Sequence, residues 1–375
     1  MSAAYLVAAR RTAVAPRGGA FKAVEVDELA AAAIMAVMAD TGIAAAAIDD
    51  VILGNALYGG GNPARLAALR AGLPDHVPAL TIDGQCCGGL DAVMLAAERI
   101  IGGGADAVIA GGVESFSRAP LRSRRPRHAG EAPQPYDRPP FAPWPERDPD
   151  MIAAAATLAE RYGISRARQD EFAILSHRKA LQNQAGADEI VSLAGLAHDA
   201  FPRALTAAVC ARLAPLAGDA AFGVTRATVA VEADAAAVLL VVSERMARRL
   251  GVRWPLRIVS TARRGGDPAM PGTAPIAAAQ SLLAAENIAP ARIAVAEIME
   301  AFAAQAIACV DGIGVSLSAV NRGGGALARG HPIGASGAIL AVRLWHEMQA
   351  QPAGTLGLAA IAAAGGLGSA LLATV

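Results

Sequence analysis

Two segments of this chain carry side chains suited to acyl transfer. Residues 330–337 read GHPIGASG, with His331 set between a glycine and a proline, ahead of an apolar run from Ala338 to Leu344 broken by Arg343. Pro332 fixes its own φ and biases His331 away from helix. Gly330, Gly334 and Gly337 let other backbone approach closely. This is a way to hold an imidazole at the edge of a pocket; a tight turn is the plainer reading. Residues 81–100, TIDGQCCGGLDAVMLAAERI, offer a nucleophile. A strand-like run from Pro78 to Ile82 ends in Asp83 and Gly84, then Cys86 and Cys87 precede an amphipathic run ending near Ile101. A cysteine just before a helix meets the positive end of the helix dipole, which favours thiolate. Cys86 is therefore expected to have a depressed pKa, with His331 adding to the effect. Gly88 and Gly89 would clear space for a substrate beside the sulfur. A cysteine with a distant histidine fits acyl transfer through a thioester, and the alternative is a buried, inert cysteine at a glycine-rich helix start.

The surrounding pattern shows which elements must position these groups. The first 118 residues alternate strand candidates (Tyr5 to Ala8, Val51 to Gly54, Ala107 to Ala110) with helix candidates (Glu28 to Ala39, Leu90 to Ile101). Such alternation implies βα crossovers and a mostly parallel sheet. Residues 119–150, rich in proline and arginine, read as a loop or extended arm. Residues 151–196 read as helices, an insertion outside the sheet. The sheet pattern resumes after about residue 222, with Val238 to Val242 a clear strand. Cys86 to Gly112 reads loop, helix, short loop, buried strand, double glycine, and His331 to Gly366 reads the same way. A duplication of this kind would put Cys86 and His331 at equivalent strand-to-helix turns. Residues 354–375 carry no charge, but their glycines, above all Gly365-Gly366, favour two short buried strands joined by a turn over a membrane span.

Composition bounds the rest. The chain has 375 residues, enough for two or more domains. Charged residues make up 18% with a net charge of +0, which gives no electrostatic case for nucleic acid or an anionic membrane surface. The 4 cysteines are scattered, without a ladder of pairs, so a reduced, cytoplasmic setting fits best. No spacing points to a metal site, and Arg10 and Arg11 follow a short apolar stretch, the wrong order for a secretory signal.

Six co-linear segments together resemble the thiolase family across nearly the whole chain. YLVAARRTAVAPRGGAF (5–21) is similar to its opening strand and loop, and TIDGQCCGGLDAV (81–93) to its nucleophile segment. AGGVESFS (110–117) resembles AGGxExMS, and RYGISRARQDEFAILSHRKA (161–180) the helical stretch of the loop domain. MEAFAAQ (299–305) resembles NEAF, and GGGALARGHPIGASGA (323–338) the GHP segment. The resemblance implies an α/β chain with a thiolase-like five-layered αβαβα fold. Two similar mixed-sheet halves would carry an inserted loop domain: residues 1–118 with 223–249, the insertion 119–222, and 250–375. It further implies acylation of Cys86 by an acyl-CoA, with His331 as base and the backbone N–H groups of Cys86 and Ala364 as an oxyanion hole. Met151 and Phe302 match positions of the CoA channel. Coenzyme A would be substrate and product, with no separate cofactor, and the assembly a homodimer or homotetramer.

The resemblance breaks at two side chains. Ala362 stands where the family has its second cysteine, and Met299 replaces the asparagine of NEAF. Neither can donate or shuttle a proton, so the carbon–carbon step is expected to suffer while acylation survives. Gly88 replaces a common serine. In TRATVAVEADA (225–235), Thr228 and Ala230 replace an asparagine and a serine, one of which lines the pantetheine channel. Three readings follow: an acetyl-CoA C-acyltransferase; an enzyme passing the acyl group to another acceptor or to water; and a non-catalytic homologue that binds acyl-CoA or supports a partner. Other residues read as structural. Cys87 is a core residue or a redox partner of Cys86. Cys309 is packing, Glu300 a capping or dipole-matching group at a helix start with a catalytic carboxylate as the alternative, and His177 and His198, without companions, are surface residues. The arginines of 118–127 form a solvated arm, a subunit contact or an attractor of CoA phosphates.

Overall fold

Local capping fixes where several helices begin. Asp150 accepts from the N–H groups of Ile152 and Ala153, Ser165 from that of Arg168, and Glu25 and Glu28 form a reciprocal capping box. The computed structural model describes residues 3–183 and 187–375. Its first half runs β1 (Ala4–Thr12), α1 (Val26–Thr41), β2 (Asp50–Gly54), α2 (Pro63–Arg70), β3 (Ala79–Ile82), α3 (Gly88–Ile101) and β4 (Ala107–Ser115). An insertion with α4 (Met151–Arg161) and α5 (Arg166–Gln182) follows, and β5 (Ala233–Ser243) completes the half. The second half runs β6 (Leu256–Gly265), α6 (Ala274–Ala285), β7 (Ile293–Ile298), α7 (Ala303–Ile313), α8 (Ile333–Gln349), β8 (Leu356–Ala363) and β9 (Leu367–Thr374).

The strands form one path in the order β7-β8-β9-β6-β1-β5-β4-β2-β3. Each half repeats one topology. In the first, β2 pairs in parallel with β3 and β4, and β5 lies antiparallel between β4 and β1. In the second, β7 pairs in parallel with β8, and β9 lies antiparallel between β8 and β6. A parallel bridge from Ala296 to Val320 takes the place of the β2–β3 ladder. The halves join through a short antiparallel contact, Tyr5 with Arg257 and Leu6 with Leu256. The mostly parallel sheet expected from the first 118 residues is thus a mixed one. The last strand of each half inserts antiparallel beside the first, β5 after the long insertion and β9 directly after β8 through a hairpin turn, so the parallel ladders among these nine strands are β3–β2, β2–β4 and β7–β8.

Three apolar clusters fill the four interfaces between five structural layers, the central one covering both faces of the middle helices. Leu53, Ile109 and Leu240 pack on α1 and α2. From the opposite face, Ile52, Val108 and Leu239 pack on α3 and α8, as do Val295 and Ile361 of the second half. The outer face of the second half packs on α6 and α7 through Ile298 and Leu358. Strands covered on both faces read as continuous apolar runs, and every residue of β4 and β5 is buried. The paired central helices approach almost backbone to backbone. A Cβ on Gly89 would stand 2.6 Å from the nitrogen of Ala338, and one on Gly337 2.5 Å from that of Leu90. Gly89 thus serves helix packing, and a Cβ on Gly88 would meet Gly54 at 3.4 Å. Neither clears room for a substrate, contrary to the expectation from sequence. The uncharged 354–375 run is the β8–β9 hairpin, turned by Gly365 and Gly366 at φ 77 and 79. Among the described residues no helix is long and apolar enough to cross a membrane.

Candidate active site

Cys86 and His331 occupy equivalent places in the two halves, each at the start of a central helix. β3 ends at Ile82, and Gln85 then takes φ 53, a region sparsely used by residues other than glycine. Asp83 Oδ1 holds it there, accepting from both the backbone N–H and the Nε2 of Gln85 at 2.9 Å. This bend separates the adjacent thiols. Cys86 faces a cavity, whereas Cys87 is buried and its thiol lies 3.5 Å from the carbonyl of Ile361. Cys87 is a core residue.

The histidine turn is held from three sides. The N–H of His331 donates to the carbonyl of Val231 at 2.7 Å. The hydroxyl of Ser336 donates to the carbonyl of Pro332 at 2.9 Å, which leaves its oxygen to accept from His331 Nδ1 at 2.6 Å. That assigns the ring proton to Nδ1 and leaves Nε2 as acceptor. Cys86 Sγ lies 3.1 Å from Nε2, so the S–H donates to it. The third hold is Glu114, the acidic residue of AGGVES, wholly buried in β4. Its carboxylate accepts from Gly334 N at 2.9 Å, Ala56 N at 3.0 Å, Leu57 N at 3.3 Å and Asn55 Nδ2 at 2.9 Å. It ties the loop after β2 to the turn that carries His331.

Burial, rather than the helix dipole, sets the resting protonation. Desolvation pushes the Cys86 thiol up to about 12, helped by the negative charges of Glu114 and Asp83. The backbone N–H groups of Cys86 and Ala364 act on the same sulfur in the opposite direction. Burial lowers His331 to about 4. The pair rests as thiol and neutral imidazole, which corrects the expectation of a depressed Cys86 pKa. The dipole argument omits the desolvation that comes from packing α3 against α8.

The cavity, about 170 Å³, gathers the residues singled out in the sequence. Cys86, His331, Met151, Phe302, Ala230 and Ala364 all line it, and so does Ala362. Met299 does not; it is 1% exposed and packs in the central apolar layer. Cys86 and His331 are the only titratable side chains among the lining residues. Phe141 of the 119–150 arm also contributes a wall. A Cβ on Gly365 would stand 2.9 Å from the Phe141 carbonyl, so the arm closes over the β8–β9 turn.

Other residues take places the sequence did not reveal. His177 is buried, not on the surface, with Nδ1 accepting from Arg203 N at 3.3 Å; His198 is exposed. Glu300 is buried away from the cavity. It accepts from Ser176 Oγ at 2.7 Å, Asn321 Nδ2 at 2.6 Å and Leu327 N at 3.2 Å, joining α5 to the segment before His331. Its backbone contact is with the first turn of the short helix Ala326–Arg329 rather than with α7. Cys309 is buried between Gln305 and the carbonyl of Gly272, each at 3.3 Å. Glu114 and Ser336, which hold the His331 turn, are the positions that sequence reasoning passed over. Their signal was membership of AGGVES and GHPIGAS.

An α/β duplication with a cysteine–histidine pair between its halves defines a class suited to acyl transfer. Residues 4–245 match the thiolase N-terminal domain and residues 252–375 the thiolase C-terminal domain. The chain belongs to the thiolase family. It is 41% identical over 377 residues to "Putative acetyl-CoA C-acetyltransferase YhfS" of Bacillus subtilis, covering 98% of each chain. It is 37% identical over 384 residues to "Putative acetyl-CoA C-acetyltransferase VraB" of Staphylococcus aureus, covering 100% of each. The solved acetyl-CoA acetyltransferase of Bacillus anthracis superposes with a TM-score of 0.91 at 32% identity, covering 100% of this chain and 99% of that one.

Proposed function

We propose that the protein is an acyl-CoA acyltransferase that carries the acyl group as a thioester on Cys86. The observation that supports this most directly is the 3.1 Å contact between Sγ and Nε2 inside a cavity walled by residues matching the family's CoA channel. The chemistry follows from the neutral pair. As Sγ attacks the thioester carbonyl, Nε2 takes the thiol proton. The ring stays in place because Nδ1 donates to Ser336. The N–H groups of Cys86 and Ala364 receive the oxyanion. The carbon–sulfur bond to CoA then breaks, and Nε2 returns the proton to the leaving thiolate. A positioned base contributes roughly 10²–10⁴ in rate, and each oxyanion donor roughly 10²–10³. Met151, Phe302 and Ala230 contact the pantetheine arm. CoA enters and leaves as substrate and product, and each proton moves between Cys86, His331 and substrate sulfur, so the scheme requires no further cofactor.

Incubation with acetyl-CoA followed by intact mass and peptide mapping tests this. One acetyl group on Cys86, absent in Cys86→Ser, is the expected result. A folded protein that binds acetyl-CoA without acylation would favour the non-catalytic reading instead.

A further inference from the structure

We infer that the acyl group on Cys86 passes to a thiol and not to a carbon nucleophile. The inference rests on the acyl-enzyme reading and deepens it by naming the acceptor. Its ground is the proton inventory of the cavity. Among the lining residues only Cys86 and His331 titrate. His331 Nδ1 is committed to Ser336, and that hydroxyl to the carbonyl of Pro332. The lining amides add no base: Gln85 Nε2 is held by Asp83, and Gln305 Nε2 by Cys309. One atom, Nε2, is left to accept a proton, and it stands beside the sulfur of Cys86.

A carbon nucleophile needs a base at its α-carbon and donors for the enolate oxygen. Ala362 places a methyl group in the cavity, and Met299 lies in the core. Neither provides such a group. The acceptor must therefore carry its proton on the attacking atom and give it up where the leaving CoA thiol took one. Chemistry then selects among such acceptors. An amine arrives as an ammonium, near pKa 10.4 for a lysine type, and would need a second base. An alcohol is a far weaker acid than a thiol. Water finds few polar partners against Phe141, Met151, Val229, Phe302 and Ile333. A thiol titrates near 8.5, suits apolar walls, and occupies the position just vacated by the CoA sulfur.

The steps balance. The entering thiol gives its proton to Nε2 as its sulfur attacks the acyl carbon. The bond from that carbon to Sγ breaks, and Sγ recovers the proton from Nε2. The net reaction is acyl-CoA plus thiol giving acyl-thioester plus CoA, with no oxidant or reductant.

The test combines the protein, acetyl-CoA and N-acetylcysteamine, and quantifies acetyl-N-acetylcysteamine, acetoacetyl-CoA and acetate by mass spectrometry. Thioester exchange should exceed condensation by at least about 10²-fold, the usual worth of a missing positioned base. It should vanish in Cys86→Ser and fall about 10²–10⁴-fold in His331→Ala. Acetyl-Cys86 that yields acetoacetyl-CoA at a comparable rate, or acetate faster than the exchange product, overturns the thiol acceptor alone. A Cys86 that is never acetylated removes the acyl-enzyme reading together with it.

Discussion

Replacing His331 by alanine separates two accounts of how Cys86 becomes a nucleophile. With the thiol near 12, roughly one molecule in 10⁵ carries a thiolate at pH 7. In that case His331 does not hold an ion pair at rest and acts only as the proton leaves. The ultraviolet thiolate absorbance of the wild type, minus that of Cys86→Ser, should then be absent at neutral pH and appear only in strong base. His331→Ala should leave this difference spectrum unchanged while acetylation of Cys86 slows by about 10²–10⁴. The pH profile has a definite sign. Because His331 is lowered to about 4, its Nε2 is free to accept throughout the neutral range. Acetylation should be flat across neutrality and fall about tenfold per pH unit below about 4. A circular dichroism melt of His331→Ala controls for misfolding. A full thiolate signal near pH 7 that disappears in His331→Ala would refute the neutral pair and restore the ion-pair account.

Glu114→Gln sets an amide N–H₂ against backbone donors that the carboxylate accepted from, so the His331 turn should loosen and acetylation slow by at least tenfold. The lost negative charge should also move the Cys86 thiolate titration downward, a shift that a purely structural defect would not produce. Glu297 is wholly buried, neither oxygen has a hydrogen-bond partner, and desolvation raises it to about 8 despite Arg343 and Arg329 nearby. A carboxyl raised in the fold stabilises fully below its unfolded value, and that stability is lost as pH rises through the folded one. The loss reaches roughly 3 kcal/mol at neutral pH, so Glu297→Gln should melt progressively higher than wild type as pH rises from 5 to 8; a constant difference would contradict the assignment. Ala362→Cys adds a thiol to the cavity wall and should raise acetoacetyl-CoA formation with little change in Cys86 acetylation, measured as separate rates; equal gains in both would show that residue 362 acts before the acyl-enzyme forms.

Much of the site was legible because it is written in short stretches. Gly-His-Pro fixes a turn, a cysteine ahead of a helix marks a second one, and the repeat of loop, helix and buried strand placed the two turns in equivalent positions. What was misread depends on partners far away in sequence. The thiolate expectation used the dipole of α3, a local property, whereas the thiol's protonation follows from α8 packing over it. His177 looked isolated because its partner is the backbone of Arg203, reached only when the insertion folds back. Glu114 lay inside a quoted motif without a role, since its four donors come from residues 55–57 and 334. Gly88 and Gly89 were assigned to substrate because the neighbouring backbone of residues 54 and 338 belongs to other elements.

The two departures from the family pattern differ once their surroundings are known. Ala362 lies on the cavity wall opposite Gly368 in the β8–β9 ladder, so a small polar side chain there meets the reacting groups. Met299 is enclosed by the apolar layer that supports Cys87 and Ile361. An asparagine at 299 would forfeit about 1.5–3 kcal/mol of buried methionine surface. It would also leave an amide whose lost hydrogen bonds cost about 1–3 kcal/mol. Position 299 is an apolar core position, whereas at 362 the cavity wall carries only a methyl group. Neither residue carries a group that moves a proton. Cys86 and His331, by contrast, are held by contacts from Ser336, Pro332, Val231 and Glu114. The proposed transfer to a thiol needs only the contacts that orient Nε2, and the fold supplies those through Ser336, Val231 and Glu114 while placing no group in the cavity that would ionise a carbon.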